Sequence, residues 1–515
     1  MRPLKILFVR APRKFWVYVN EDDNFWMPLN FPCLSAVLKQ RLTSREVEIK
    51  AIDCCASKIG WSSLTKILHE EKADIVGFGD ETCYGEEGLH LARIARAANP
   101  QCLVVAGGSH FPYVAEELLP GSAIDITVLG EGEYTFLELV QQVLSGRPNY
   151  AEVKGIGFVQ DGRVVLNDPR PIIANLDELP LPDYELMGFE HYGKGGVLWN
   201  VPDAVPIFHS RGCFSGCTFC AFWPTESQWR RNDQGELVPI PTYRTKSVEK
   251  TIEEMEILYS KYGRRFFAWI DGTFNADSAW NERWADEVLR RGWNLKWFAF
   301  QRADCLARDE ERGILEKMVR SGMAYTIVGV ERHRNRDFEQ FHKVNYSTEM
   351  IAEICRTIQH KYPDVFLQGT FIIGLEDDDR DELFRLVDYA ESIGIDFPSF
   401  HFLTPAPGTI LYKELKAQGR MTGVDYSKMD WFTPIWPTQT MDTDELNGMM
   451  YVLMKKFMFR KRGILKNLFH RNRLKRTIYW WFLWIAAKFF YSESVHFLLR
   501  RERMLTLQEP KWYGT

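Results

Sequence analysis

Three of the ten cysteines stand within eight residues of one another, in the run His209-Ser210-Arg211-Gly212-Cys213-Phe214-Ser215-Gly216-Cys217-Thr218-Phe219-Cys220. Structural zinc sites bring four ligands, commonly as two separated pairs, and no second Cys-x-x-Cys or His-x-x-x-His pair occurs in the chain. Three thiolates on one loop also suit a four-iron four-sulfur cluster, whose fourth iron is then open to a substrate or cofactor. Gly212 and Gly216 fit a loop that must carry its backbone close to such a cluster. Cys33, Cys54, Cys55, Cys83, Cys102, Cys305 and Cys355 are scattered and read as core thiols, since a cytoplasmic chain keeps its cysteines reduced.

The elements that must position this loop are legible from periodicity. Across residues 1–145, strand-like runs at Leu4–Val9, Val47–Asp53, Asp74–Gly79, Leu103–Ala106 and Asp125–Leu129 alternate with helical patterns such as Leu64–Glu70, Glu87–Ala98 and Thr135–Leu144. That is an α/β, doubly wound, Rossmann-like sheet, which takes ligands at the carboxyl ends of its strands. Glycines fall at three such ends: Gly77 and Gly79, Gly107-Gly108, and Gly130-Glu131-Gly132-Glu133. Residues 146–205 read as a linker with a short hairpin, Ile156–Val165. From 206 to 410 strands recur at Ile207–His209, Phe266–Ile270, Lys296–Phe300, Tyr325–Gly329, Phe366–Ile373 and Ser399–Leu403, a partial (β/α)6 barrel with its site at the C-terminal strand ends. Residues 411–515 are mainly helical.

The Cys-x-x-x-Cys-x-x-Cys spacing, with Phe219 before the last cysteine and the whole run just after a first barrel strand, resembles the radical S-adenosylmethionine (SAM) superfamily. The resemblance covers about residues 206–410. It implies that Cys213, Cys217 and Cys220 hold a 4Fe-4S cluster and that SAM chelates the open iron and is cleaved to a 5′-deoxyadenosyl radical. By the same resemblance Asp271-Gly272-Thr273 would meet the methionine end of SAM, Glu331 would contact SAM, and Gly374, in Gly369-Thr370-Phe371-Ile372-Ile373-Gly374-Leu375-Glu376, would lie beside the adenine.

A doubly wound domain ahead of such a barrel resembles the cobalamin-dependent radical SAM class. Gly107, Gly108 and His110, with Gly130, Glu131 and Gly132, then stand where that class cradles the corrin. Where base-off, His-on cobalamin proteins carry Asp-x-His-x-x-Gly, this chain has Asp53-Cys54-Cys55-Ala56-Ser57-Lys58, which implies cobalt without a histidine below it. The implied reaction is methyl transfer to an unactivated carbon of a hydrophobic substrate, tetrapyrrole or lipid-like, fed by an electron donor such as flavodoxin or ferredoxin. Trp431-Phe432-Thr433-Pro434-Ile435 and the segment Met441–Leu446 resemble the anaerobic magnesium-protoporphyrin IX monomethyl ester oxidative cyclases, so ring cyclisation is the alternative. A non-catalytic cobalamin or redox sensor is a third reading, disfavoured by the SAM-side residues.

The formal charge of −5 offers no basic field for nucleic acid. It conceals ten Lys or Arg and no Asp or Glu between Lys455 and Arg476, so the rest of the chain carries −15. The apolar run Ile478–Ala487 is shorter than the ~20 residues a spanning helix needs. No signal peptide is recognisable at the start. The expectation is a cytoplasmic enzyme with a peripheral membrane contact through residues 455–491.

Overall fold

The computed structural model describes residues 2–16, 27–192, 203–458, 460, 467–498 and 507–515. The first sheet contains β1 (Leu4–Arg10), β2 (Val47–Asp53), β3 (Ile75–Asp80), β4 (Leu103–Gly108), β5 (Ile126–Val128), β6 (Ile156–Gln160) and β7 (Arg163–Leu166), in the order β2-β1-β3-β4-β5-β6-β7. β1 to β5 pair in parallel. In β1 both faces are buried: Ile6 and Phe8 belong to one core cluster and Leu7 and Val9 to another, as expected of a parallel sheet covered by helices on both sides. The sheet order reverses between β1 and β3, and the crevice outside the strand ends there is the physical place for a ligand.

The five expected strands of this sheet are all present, their ends displaced by at most two residues. The hairpin is different. It is not part of a linker but continues the first sheet, with β6 antiparallel to β5 and β7 to β6. β5 has three residues, and each pairs with β6: Ile126 with Phe158, Thr127 with Gly157, Val128 with Ile156. Without that cover β5 would present an unpaired edge.

The second sheet contains β8 (Ala204–Ile207), β9 (Phe266–Trp269), β10 (Lys296–Gln301), β11 (Met323–Glu331), β12 (Phe366–Ile373) and β13 (Phe397–Phe402), paired in that order and all parallel. β8 and β13 are its edges among the described residues, so the barrel is open between them. Between β8 and β9 the chain makes two antiparallel ribbons that hydrophobic periodicity did not reveal: Ser210–Cys213 with Thr242–Thr245, and Gln228–Arg231 with Leu237–Ile240. The cysteine run begins inside the first of them.

Beyond the barrel, helix Thr443–Met458 buries Leu446, Met449, Leu453 and Phe457 against the barrel core. Helix Arg473–Leu498 follows. Of the basic stretch, Lys461, Arg462 and Lys466 lie outside the described residues. Lys475 is buried, with Nζ 2.9 Å from Asp396 Oδ2. No described helix is long and apolar enough to cross a membrane. The last residues return to the first domain: Trp61 and Ser63, at the start of helix Trp61–Glu71, donate their backbone N–H groups to Tyr513 O and Thr515 O, satisfying two of the donors a helix start leaves free.

Candidate active site

The cysteine loop is held by its own sequence. Gly212 has φ +76°, and a Cβ there would lie 2.0 Å from Thr242 O across the ribbon, so no other residue keeps the ribbon closed. The Trp223 indole N–H donates to Cys217 O at 2.9 Å, Thr218 N to Phe341 O and Leu411 N to Thr218 O, both at 3.0 Å. Three parts of the barrel domain therefore grip the segment between the second and third thiols.

Each thiol is also tuned. Thr273 Oγ1 donates to Cys213 Sγ at 3.2 Å, and Ser215 Oγ lies 3.4 Å from Cys217 Sγ. Burial pushes the Cys220 thiol up to about 12, with the charges of Cys217 and Cys213 adding to the effect and the backbone N–H groups of Trp223 and Phe222 opposing it. Burial raises Cys217 as well, against the pull of Lys343, Ser215 and Arg302. Protonated thiols would be unfavourable ligands, and two cations stand ready for the anionic form. The buried Lys343 is held charged despite desolvation by Glu331, Tyr346 and Cys217, and Arg302 by Tyr346, Asp304 and Cys213. Arg302 lies 4.8 Å from the centres of both the Phe214 and Tyr346 rings. Among the described residues no three such side chains close on a single metal ion. A four-iron cluster asks something else, one thiolate per iron from a loop wrapped around it. Three mutually interacting thiols in a cationic surrounding fit that group.

On the SAM side, Phe219 packs edge-on to Phe341 at 4.9 Å and joins a small apolar cluster with Ile372 and Leu375. Gly374, at φ +83°, ends β12 in the same region and donates its N–H to Asp378 Oδ2. Glu331 sits at φ +63° where the β11–β12 register shifts, and pairs with Lys343 at 2.5 Å. A non-glycine residue in that conformation is strained, and such strain collects at functional sites. Gly272 O lies 2.8 Å from Thr273 Oγ1, the alternative acceptor for that hydroxyl's one proton. Asp271 departs from expectation: its Oδ1 is turned back onto the cysteine run, accepting from His209 N, Ser210 N and Ser210 Oγ and lying 2.8 Å from His209 Nδ1. These groups hold its carboxyl below the usual range in spite of burial. It anchors the loop, and only its buried Oδ2 lacks a partner.

Further round the barrel, Ser399 and His401 keep accessible surface while Pro398, Phe400 and Phe402 are buried. Ser399 Oγ is 2.7 Å from His401 Nε2, Ser399 pairs with Thr370 and Thr370 with Gly329 across the strands. Phe432 covers His401 at 5.0 Å, and the next aromatic, Trp431, stacks on Phe222, two residues past Cys220. Sequence reading found neither His401 nor its route to the cysteine loop.

The first domain faces this site through a cleft enclosing about 300 Å³, open on one side, that runs from the β1, β3, β4 and β5 ends to the end of β8. Its walls include Phe8, Phe31, Gly79, Gly107, Gly108, Gly130, Glu131 and Gly132 from the first domain, and Phe208, Arg211, Glu226 and Ile270 from the second. A Cβ on Gly130 would meet no atom within 4 Å, and one on Gly107 nothing nearer than 3.9 Å. These positions therefore leave a flat macrocycle room that side chains would take, and the cleft fits a corrin.

Two expected corrin residues are placed otherwise. His110 does not line the cleft. It is buried against Gly85, Phe111 and Tyr426 beside a separate cavity, because Gly108 turns the chain away at φ +84°. Glu131 lines the cleft, yet its carboxylate is engaged by Arg211 at 2.7 Å, Arg244 at 3.2 Å and Ile173 N at 2.7 Å. Glu133 takes the other side of Arg211 at 2.5 Å. Arg211 and Arg244 are register partners in the ribbon, a like-charge pairing that these two carboxylates neutralise. Asp53, at the place of the missing histidine sequence, caps helix Cys54–Ser57 and accepts from Tyr192 Oη at 2.7 Å.

Residues 207–387 match the model of the radical SAM superfamily, and residues 16–140 that of the B12-binding domain. The chain thus carries a radical SAM domain behind a B12-binding domain, the pairing of the cobalamin-dependent radical SAM enzymes that it resembles. Its cofactors are a 4Fe-4S cluster, SAM and cobalamin. This radical SAM enzyme is 27% identical over 93% of its length to an uncharacterised methyltransferase of Pyrococcus horikoshii, covering 98% of that protein. It is 26% identical over 84% of its length to the anaerobic magnesium-protoporphyrin IX monomethyl ester cyclase of Cereibacter sphaeroides, covering 68% of it. Among solved structures it shares the fold of the cobalamin-dependent radical SAM enzyme OxsB with aqua-cobalamin and SAM bound, at TM-score 0.67 and 17% identity, covering 96% of this chain and 73% of that one.

Proposed function

We propose that this enzyme methylates an unactivated carbon of a hydrophobic substrate, of tetrapyrrole or lipid-like type. The observation that carries the reading is the shared cleft. Glycine-bare strand ends of the B12-binding domain and the flank of the cysteine loop line one space, so a substrate carbon held there is reachable from both sides. When bound, the three cofactors supply one-electron chemistry at a C–H bond and a methyl donor. The chain's residues supply the rest. Lys343 and Arg302 favour the anionic form of Cys217 against its burial, Asp271 and Trp223 fix the loop, and Phe222, 66% exposed beside Trp431, offers an apolar wall to a flat substrate. His401, which burial lowers to about 4, is neutral at working pH and suits an uncharged polar group on the substrate.

Near end-to-end similarity to a protein named as a methyltransferase favours methyl transfer over cyclisation. The test is anaerobic turnover of the reconstituted enzyme with methyl-deuterated SAM and lipid or tetrapyrrole fractions, read by mass spectrometry. A product carrying the labelled methyl group supports the proposal; an unlabelled product lighter by hydrogen, with a new ring, overturns it in favour of cyclisation.

A further inference from the structure

Helix Arg473–Leu498 shows two unlike faces. One packs on the barrel through buried Ile478, Tyr479 and Ala486 and the Lys475–Asp396 pair. The other carries Arg473, Trp480, Trp484, Ala487, Tyr491 and Ser494, all exposed, with Arg476 half-buried beside them. Spacings of three and four residues place these on one stripe. The large members are not marginally exposed: Trp480 is 54%, Trp484 61% and Tyr491 74% accessible, and Phe469, just before the helix, 76%. Such a row of aromatics is unusual on a surface facing only water. Lys488 Nζ lies 5.6 Å from the Trp484 ring. From Lys455 to Ser492 the chain has eleven Lys or Arg and no Asp or Glu.

We infer that this stripe is a docking surface for an anionic lipid bilayer. Tryptophan and tyrosine settle at the boundary between headgroups and acyl chains, and a helix with arginines and aromatics on one face lies in that plane. Lysine and arginine add attraction to anionic headgroups, and Glu493 is the one carboxylate in the helix sequence to oppose it. At 26 residues the helix has the length to cross, but no stretch of it among the described residues is apolar enough. It rests on the surface, with the barrel behind it. The surface does not depend on which carbon is methylated, so its failure and that of the proposed reaction are separable.

The full-length protein is incubated with vesicles of phosphatidylcholine alone, or with a third of the lipid replaced by phosphatidylglycerol, and sedimented at low and high salt. The wild type is expected to sediment with the anionic vesicles at low salt, with a blue shift in tryptophan emission. Trp480→Ser/Trp484→Ser/Tyr491→Ser should reduce binding by roughly tenfold or more while far-ultraviolet circular dichroism and cluster loading stay unchanged. Arg473→Gln/Arg476→Gln should weaken binding at low salt and flatten its salt dependence. No association of the wild type with anionic vesicles at low salt overturns the inference. So does a wild-type dimer on gel filtration that the triple variant converts to monomer, which would make the stripe a contact with a second copy.

Discussion

Arg211 Nη2 lies 2.5 Å from Glu133 Oε1, and Arg211 stands two residues before Cys213, the first of the three clustered cysteines, while Glu133 closes the glycine loop that lines the cleft between the two domains. One buried guanidinium therefore joins the two cofactor cradles. Removing one partner of a buried pair costs about 3–5 kcal/mol because the other charge is left unpaired. Arg211→Met should lower unfolding stability in urea by that order and weaken cobalamin binding by roughly tenfold. Adding Glu133→Gln should restore part of the stability, whereas a stable Arg211→Met protein with full cobalamin affinity would show that the link is ornamental.

The cleft can be closed without straining the backbone. Gly107 has room for a side chain in its β4 conformation, so Gly107→Val should change stability by less than about 1 kcal/mol. Cobalamin titration followed by visible absorption should nevertheless show binding lost or weakened at least tenfold. Undiminished binding would move the corrin elsewhere.

If Cys213, Cys217 and Cys220 are the cluster ligands, loading depends on each of them. Cys217→Ala should abolish the cluster's absorption and SAM cleavage while the cobalamin cleft, which Cys217 does not line, still binds its ligand. Retained SAM cleavage would remove Cys217 from the ligand set.

Cobalt should carry no protein imidazole. No histidine lines the cleft among the described residues, and His110 faces another cavity. Electron paramagnetic resonance of the reduced cobalamin form should lack nitrogen hyperfine coupling from the protein, and His110→Phe should leave that spectrum unchanged.

His110 makes a different, pH-dependent contribution. Burial lowers it to about 4, against an unfolded value near 6.5, so the unfolded chain binds the extra proton first. Its contribution is complete above pH ~6.5 and is lost as pH falls through 4, by about 3 kcal/mol in all. The buried Asp80 and Asp430, both raised to about 6 by burial, act in the opposite sense between their unfolded values and pH ~6. The readout is therefore a difference: the stability gap between wild type and His110→Phe should shift in favour of the variant as pH falls from 7 to 4.5. A gap that stays constant would mean His110 is not buried neutral.

The strands and the cysteine loop were legible because both are local. Alternation at Leu4–Arg10 or Phe366–Ile373 and the spacing of Cys213, Cys217 and Cys220 need only a few neighbouring residues. What stayed hidden was set by partners distant in the chain. Glu131 reads as a corrin residue until the ribbon brings Arg211 and Arg244 to it. Asp271 reads as a SAM residue until His209 and Ser210 claim its carboxylate. His110 lies two residues past a glycine pair that does line the cleft, and a single left-handed turn at Gly108 sends it to the other side. Lys343 and His401 belong to no local pattern at all.

The hairpin Ile156–Leu166 has a practical consequence for how this protein can be taken apart. The ligand-binding sheet is completed by chain that follows its last parallel strand, so a fragment cut at residue 145 would be a sticky, three-residue-edged torso. A cobalamin-binding fragment meant to live alone, or to be grafted onto another catalytic partner, has to keep the hairpin. The portable unit is then longer than the helix–strand alternation advertises.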